Sequence, residues 1–111
     1  YAEYRSQRYL SAARDCGEDA RLRPDESEGY YCRGVMRSRA GDHDAAIADY
    51  ERAIERARTA EDAGNAWYGV GVCHERAGRT AQAIAAFRRT LEVYPQQAQA
   101  QSALARLTRT K

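Results

Sequence analysis

The side chains best suited to acid–base, nucleophilic or metal chemistry are few: His43 and His74, and Cys16, Cys32 and Cys73. His43 stands in Gly41-Asp42-His43-Asp44, which superficially resembles a metal cluster. The same string reads better as a turn with carboxylates capping a helix start, Asp42 and Asp44 being the caps. His74 falls within a helical pattern and is expected to pack between paired helices. Neither histidine has a Cys or Ser at a spacing that suggests a dyad, and no glycine-rich phosphate loop is present. The cysteines form no C-x-x-C and no zinc spacing, and an odd number cannot close a full disulfide framework. They read as small hydrophobes in helix seams. A Cys16–Cys32 bridge is the alternative for an exported chain. No catalytic, cofactor-binding or metal-binding residue is assigned, no cofactor is expected, and the chain is expected not to be an enzyme.

The elements that would position any site are helices. The chain has 111 residues, 31% charged and 43% hydrophobic, with two prolines and abundant alanine, which favours one soluble, helical domain. No apolar run approaches the ~20 residues of a membrane span. Residues 76–111 carry seven basic side chains against Glu92 alone, a net of +6, and the rest of the chain carries −4. Such a basic third suits an acidic partner or nucleic acid, or is a solvated helix surface. Seventeen of 18 basic residues are arginine, which points to a GC-rich, bacterial genome. The chain opens on Tyr1 without a signal-peptide pattern. A cytoplasmic location is favoured, and a periplasmic or exported one stays open if a leader has been removed.

The strongest signal is internal repetition. Tyr30-Tyr31-Cys32-Arg33-Gly34 aligns with Trp67-Tyr68-Gly69-Val70-Gly71, Arg39-Ala40-Gly41 with Arg76-Ala77-Gly78, and Ala46-Ile47 and Tyr50 with Ala83-Ile84 and Phe87. Every pair is 37 residues apart, the mark of a stacked-repeat architecture. Gly41 and Gly78 end one helix where a left-handed residue is easiest for glycine. Asp42 and Asp44, and in the second unit Thr80, then open the next helix as caps. Gly34 and Gly71 sit inside helices, at about 1 kcal/mol against alanine, where another helix approaches closely. Tyr30, Trp67, Tyr50 and Phe87 fill the hairpins. Second helices are apolar at Ala46, Ile47, Tyr50, Ala53 and Ile54, and at Ala83, Ile84, Phe87 and Leu91, one buried stripe each.

This order of aromatic, small glycine, turn glycine, alanine, aromatic and then proline resembles the tetratricopeptide repeat. Trp67, Gly71, Gly78, Ala83, Phe87 and Pro95 carry the match in one unit, and Tyr30, Gly34, Gly41, Ala46, Tyr50 and Ala53 in the other. Arg33, Arg37 and His74 depart from it, as does Arg58 at the place of the proline. The spacing of 37 rather than the usual 34 implies about one extra helical turn around 58–64. The resemblance implies an all-α, right-handed solenoid of helical hairpins: a degenerate or truncated repeat over 1–26, repeats over 27–60 and 64–97, and a capping helix over 98–110. In the first segment Ala12, Cys16 and Leu22 are expected to belong to the second helix of that repeat, with Gly17 and Asp19 as irregularities.

The family's concave groove usually receives a peptide or a partner helix. The resemblance places Glu28, Tyr31, Val35, Ser38 and Arg39 in it from one unit. Asn65, Tyr68, Val72, Glu75 and Arg76 come from the next, and Gln99, Ser102 and Arg106 from the final helix. Tyr31 and Tyr68 are equivalent and suit interface anchoring; Arg39 and Arg76 are equivalent and suit carboxylates. The bland alternative is that both tyrosines only shield a helix seam. The lysine, asparagine and arginine set with which some members hold chaperone tails is absent, its places holding Tyr31, Val35, Gly69, Gln99 and Ala103. The expected function is therefore a scaffold or adaptor for a protein or peptide partner. The rivals are single-stranded nucleic-acid binding through the basic third, unlikely with so few repeats, and self-assembly within a larger protein.

Overall fold

The computed structural model describes residues 2–109, with side chains from residue 5 onward. Tyr1, position 110 (the expected end of the last helix) and Lys111 lie outside the described residues. Six helices follow in order: α1 (Ala2–Leu22), α2 (Glu28–Arg39), α3 (His43–Arg56), α4 (Ala60–Arg76), α5 (Thr80–Val93) and α6 (Ala98–Thr108). The architecture is all-α. Each helix packs on its neighbour in sequence, and α2 also touches α4. The result is a slab of 42 × 37 × 18 Å, with hairpins α2–α3 and α4–α5 at its centre. The longer spacing between units resides in α4, which has 17 residues against 12 in α2.

The two turn glycines hold the hairpins. Gly41 has φ +90° and Gly78 φ +83°. In the first turn the Gly41 and Asp42 N–H groups donate to the Ser38 and Arg37 carbonyls; in the second, Gly78 and Arg79 donate to Glu75 and His74. Both are complete Schellman closures. That closure corrects the expected caps. Asp42 occupies the N-cap of α3, but its side chain makes no cap hydrogen bond. Thr80 is already the first residue of α5, behind Arg79. In each case the cap-position backbone is fixed by its own N–H bond to the preceding helix. The side-chain caps lie elsewhere: Thr59 Oγ1 accepts from the Asp62 N–H at 3.0 Å, and Gln97 Oε1 from the Ala100 N–H at 3.1 Å.

Two apolar clusters run through the slab. Tyr50, Ala46, Ala53, Ala66, Val70, Cys73 and Ala86 form one, and Phe87, Ala83, Ala100 and Ala103 the other. Tyr30 and Trp67 are only half-buried at the edges. Arg56 lies 4.7 Å over the Tyr30 ring and Arg89 5.3 Å over Trp67, cation–π contacts that shelter both.

The first segment differs from expectation. α1 is one unbroken helix that runs through Gly17 and Asp19. Its buried stripe is Ala13, Cys16 and Ala20, whereas Ala12 is half-buried and Leu22 is 61% exposed. The spacing of three and four residues puts the stripe one position away from Ala12. A disulfide joins Cys16 to Cys32 across α1 and α2, with Cα atoms 5.6 Å apart. This corrects the reading of these two as plain seam hydrophobes, which fits Cys73 alone. Residue 32 is the equivalent of Gly69, against which the Tyr50 ring packs in the α3–α4 seam. α1 offers no such ring on its buried stripe, and there the covalent link takes the place of an aromatic contact.

Candidate functional site

At ~100° per residue, Tyr31, Val35, Ser38 and Arg39 fall on one side of α2, and Tyr68, Val72 and Arg76 on the corresponding side of α4. The structure brings these seven together around a cleft of about 180 Å³ floored by Tyr50 and Gly69. Tyr31 is 38% exposed and meets Tyr50 edge-on at 5.7 Å; Tyr68 meets Phe87 at 5.5 Å. Each tyrosine thus covers a seam with one edge while lining the cleft. Burial pushes the Tyr31 hydroxyl above its ordinary value, with Arg39 opposing, so it stays a neutral donor and acceptor. Arg39 and Arg76 are both exposed beside the rings. Ser38 lies deeper in the cleft lining than its neighbours. It is 6% exposed, and its Oγ accepts the Cys73 S–H at 3.6 Å. Cys73 is fully buried, which pushes its thiol up.

Most of the remaining expected residues line hollows that adjoin this cleft through Tyr31 and Tyr68. Glu28 and Asn65 join Tyr31 around a small hollow of about 80 Å³ at one end. The Asn65 Oδ1 accepts from Gln97 Nε2 at 3.2 Å, so its carbonyl side is occupied. Gln99, Ser102 and Arg106 of α6 join Tyr68 around an open hollow of about 320 Å³ at the other. Glu75 is paired with Arg106, whose Nη2 donates to Oε1 at 3.2 Å. That hydrogen bond holds the Glu75 carboxyl below its ordinary range.

Neither histidine has a hydrogen bond to a cysteine or serine among the described residues. His74 Nδ1 accepts from Arg79 Nε at 3.0 Å, and Arg79 Nη2 donates to Asp44 at 2.9 Å. Burial, then Arg79, pushes the imidazole below its ordinary value. The His43 Nδ1 is buried without a hydrogen bond among the described residues. Asp42 and Asp44 beside it are exposed, and no group of three or more His, Cys, Asp or Glu among the described residues is placed to hold a metal. In the basic third, Arg79, Arg89 and Arg106 are engaged in ion pairs with Asp44, Glu92 and Glu75.

Sequence reasoning missed one cluster. Asp49 is fully buried and faces three guanidinium groups: Arg33 Nη2 at 2.9 Å, Arg37 Nη1 at 2.8 Å and Arg52 Nη1 at 3.4 Å. Thirty-seven residues on, Arg33, Arg37 and Asp49 become Val70, His74 and Ala86. The signal was there: three positions of one seam depart from the repeat together.

A family model described as "Tetratricopeptide repeat" matches residues 25–96. No curated protein sequence matches. Among solved structures, a mutant of the Thermobaculum terrenum O-GlcNAc transferase superposes with a TM-score of 0.76 at 24% identity, over 94% of this chain and 19% of that one. That likeness is one of fold, and the chain spans about a fifth of that enzyme's length. No helix among the described residues is long and apolar enough to cross a membrane. Repeats of this kind generally mediate protein–protein interaction as scaffolds. With more than half of its length matched, and six helices in hairpins closed at Gly41 and Gly78, the chain belongs to the tetratricopeptide repeat family.

Proposed function

We propose that the chain is a scaffold or adaptor module whose concave face takes a peptide or helix of a partner protein, without chemistry of its own. One observation carries this reading: the equivalent tyrosines Tyr31 and Tyr68 share a single cleft, with the equivalent Arg39 and Arg76 at its margin. The rings supply rigid apolar area with a polar tip, and the arginines a means to hold ligand carboxylates. The absence of chemistry rests on the histidines, one held by Arg79 and one beside exposed turn carboxylates. The resemblance to a transferase lends fold only.

The test is a nuclease-treated pull-down from the source organism at about 150 mM salt, a regime where surface charge is partly screened. Wild type runs beside Tyr31→Ala/Tyr68→Ala, with circular dichroism to confirm that the double variant folds. A protein recovered by wild type and lost by the variant supports the groove. Equal recovery by both removes it. Capture of nucleic acid alone, lost on nuclease treatment, replaces it with the nucleic-acid reading.

A further inference from the structure

The face of α2 opposite the groove carries a second feature. Arg33 lies two residues after Tyr31, about 200° around the helix, and Arg37 one turn further on. Both line a cleft of about 710 Å³ walled by α1 residues Leu10, Ala13 and Arg14. Asp49 holds the two guanidinium groups in place from beneath. Arg33 Nε bonds both carboxylate oxygens, at 3.0 and 3.1 Å, and Arg37 Nη1 bonds one at 2.8 Å. Arg33 Nη1 and Arg37 Nε and Nη2 make no hydrogen bond among the described residues. One carboxylate against three arginines leaves two positive charges in surplus. Glu18, at the rim, is already taken by Arg21 at 2.6 Å.

Stability does not account for this arrangement. Buried ion pairs are seldom better than apolar residues of similar volume, and this chain uses Val70, His74 and Ala86 in the same frame one unit later. Asp49 instead holds two guanidinium groups in fixed positions at the cleft wall, the preorganisation that recognition of a further carboxylate calls for. The cleft runs along α1 from Gln7 to Glu18, about 16 Å at ~1.5 Å per residue, room for roughly five extended residues. Leu10, 44% exposed, supplies apolar surface beside the fork. We infer that this convex cleft between α1 and α2 is a second binding site, for an acidic peptide segment of a partner protein that places a Glu or Asp carboxylate on Arg33 and Arg37 and an apolar side chain against Leu10.

The test is NMR titration of the oxidised protein, reading backbone amides and arginine Nε–H signals. The probes are a ten-residue peptide alternating Glu and Leu, its Gln-for-Glu counterpart, glutarate, and a ten-nucleotide oligothymidylate. The acidic peptide is expected to move the Arg37 Nε–H and the amides of Leu10 and Arg14. Its affinity is expected to fall roughly tenfold or more in Arg37→Gln, as loss of a charge-assisted hydrogen bond implies. The variant Arg33→Val/Arg37→His/Asp49→Ala, which copies the second unit, is expected to fold and not to bind. Tyr31→Ala/Tyr68→Ala is expected to bind as wild type does, which separates this site from the groove. The inference is overturned if the Gln peptide binds as well, if Arg37→Gln binds unchanged, or if the shifts centre on Tyr31 and Tyr68. Glutarate matching the peptide would mean a small-anion site instead, and tighter oligothymidylate would mean a nucleic-acid site.

Discussion

Adding one methyl group at Gly71 tests the packing of the second hairpin. A Cβ there would stand 2.5 Å from Phe87 Cε1, 2.6 Å from Cδ1 and 2.9 Å from Cζ. Carbon atoms rest at about 3.5–4.0 Å, so the ring or the helix must retreat by about an ångström. Phe87 is fully buried and has Tyr68, Ala100 and Ala103 around it, which leaves little room to retreat. Overpacking of this kind costs about 1–3 kcal/mol. Alanine also returns about 1 kcal/mol of helix propensity, which would hide part of the cost. Gly17→Ala supplies the correction. Its Cβ would meet the Arg33 side chain, Nη1 at 3.0 Å and Cδ at 3.4 Å, contacts that a shift of about a few tenths of an ångström relieves, so most of the propensity gain remains. The difference between the two variants cancels propensity and leaves packing: Gly71→Ala is expected to be less stable than Gly17→Ala by about 1–3 kcal/mol, or roughly 5–20 °C in Tm. Urea unfolding followed by far-UV circular dichroism measures it. In a Phe87→Leu background the Gly71→Ala penalty should shrink. Equal midpoints for the two glycine variants would refute the close approach of α4 and α5 at this point.

His74 has its folded-state pKa lowered by burial and Arg79. The folded protein therefore binds that proton more weakly than the unfolded chain, and stability should be full above about pH 6.5 and decline as pH falls through that value; a urea-midpoint series from pH 7.5 to 5.5 should slope less in His74→Asn, and identical slopes would sink the assignment. Reducing Cys16–Cys32, which closes a loop of sequence separation 16, should cost about 3 kcal/mol. Hydrogen exchange should show α1 losing protection before α4 and α5; uniform loss would mean that the bridge does not hold α1. Asp49→Ala alone strands Arg33 and Arg37 and should cost about 3–5 kcal/mol, while the triple copy of the second unit should fall near wild type. Thermal melts in which both are equally damaged would contradict the packing argument.

What the sequence made legible followed from the repeat. Gly41 and Gly78 were readable as turn residues because only a left-handed residue closes such a helix end, and they recur at the same frame. Tyr31 and Tyr68 were readable as neighbours because equal phase on adjacent first helices puts them on one side of the slab. Ser38 shares that phase and also lines the cleft, but the repeat did not show that its hydroxyl accepts the Cys73 S–H in the α2–α4 seam. Pairings that one unit has and the other lacks were harder to read. Asp49 was left without a role, since its partners Arg33 and Arg37 lie 16 and 12 residues away on another helix. The Cys16–Cys32 bridge was readable only as the alternative, because neither residue has a counterpart cysteine one repeat on. Thr59 and Gln97 escaped notice as caps because neither stands in the repeated turn.

The Cys16–Cys32 bridge also decides how the molecule bears load. Tension carried along the backbone would cross from Cys16 to Cys32 through a span of 5.6 Å between Cα atoms and bypass everything in between. That segment holds the end of α1, the Pro24 bend and the start of α2. About 16 residues at ~3.5 Å each, some 55 Å of contour, stay out of reach of the pull until a reductant opens the link. Beyond it, α4, α5 and α6 have no crosslink among the described residues and can lengthen in turn. The oxidised chain is therefore a stiff joint followed by an extensible segment, and reduction makes the whole length compliant.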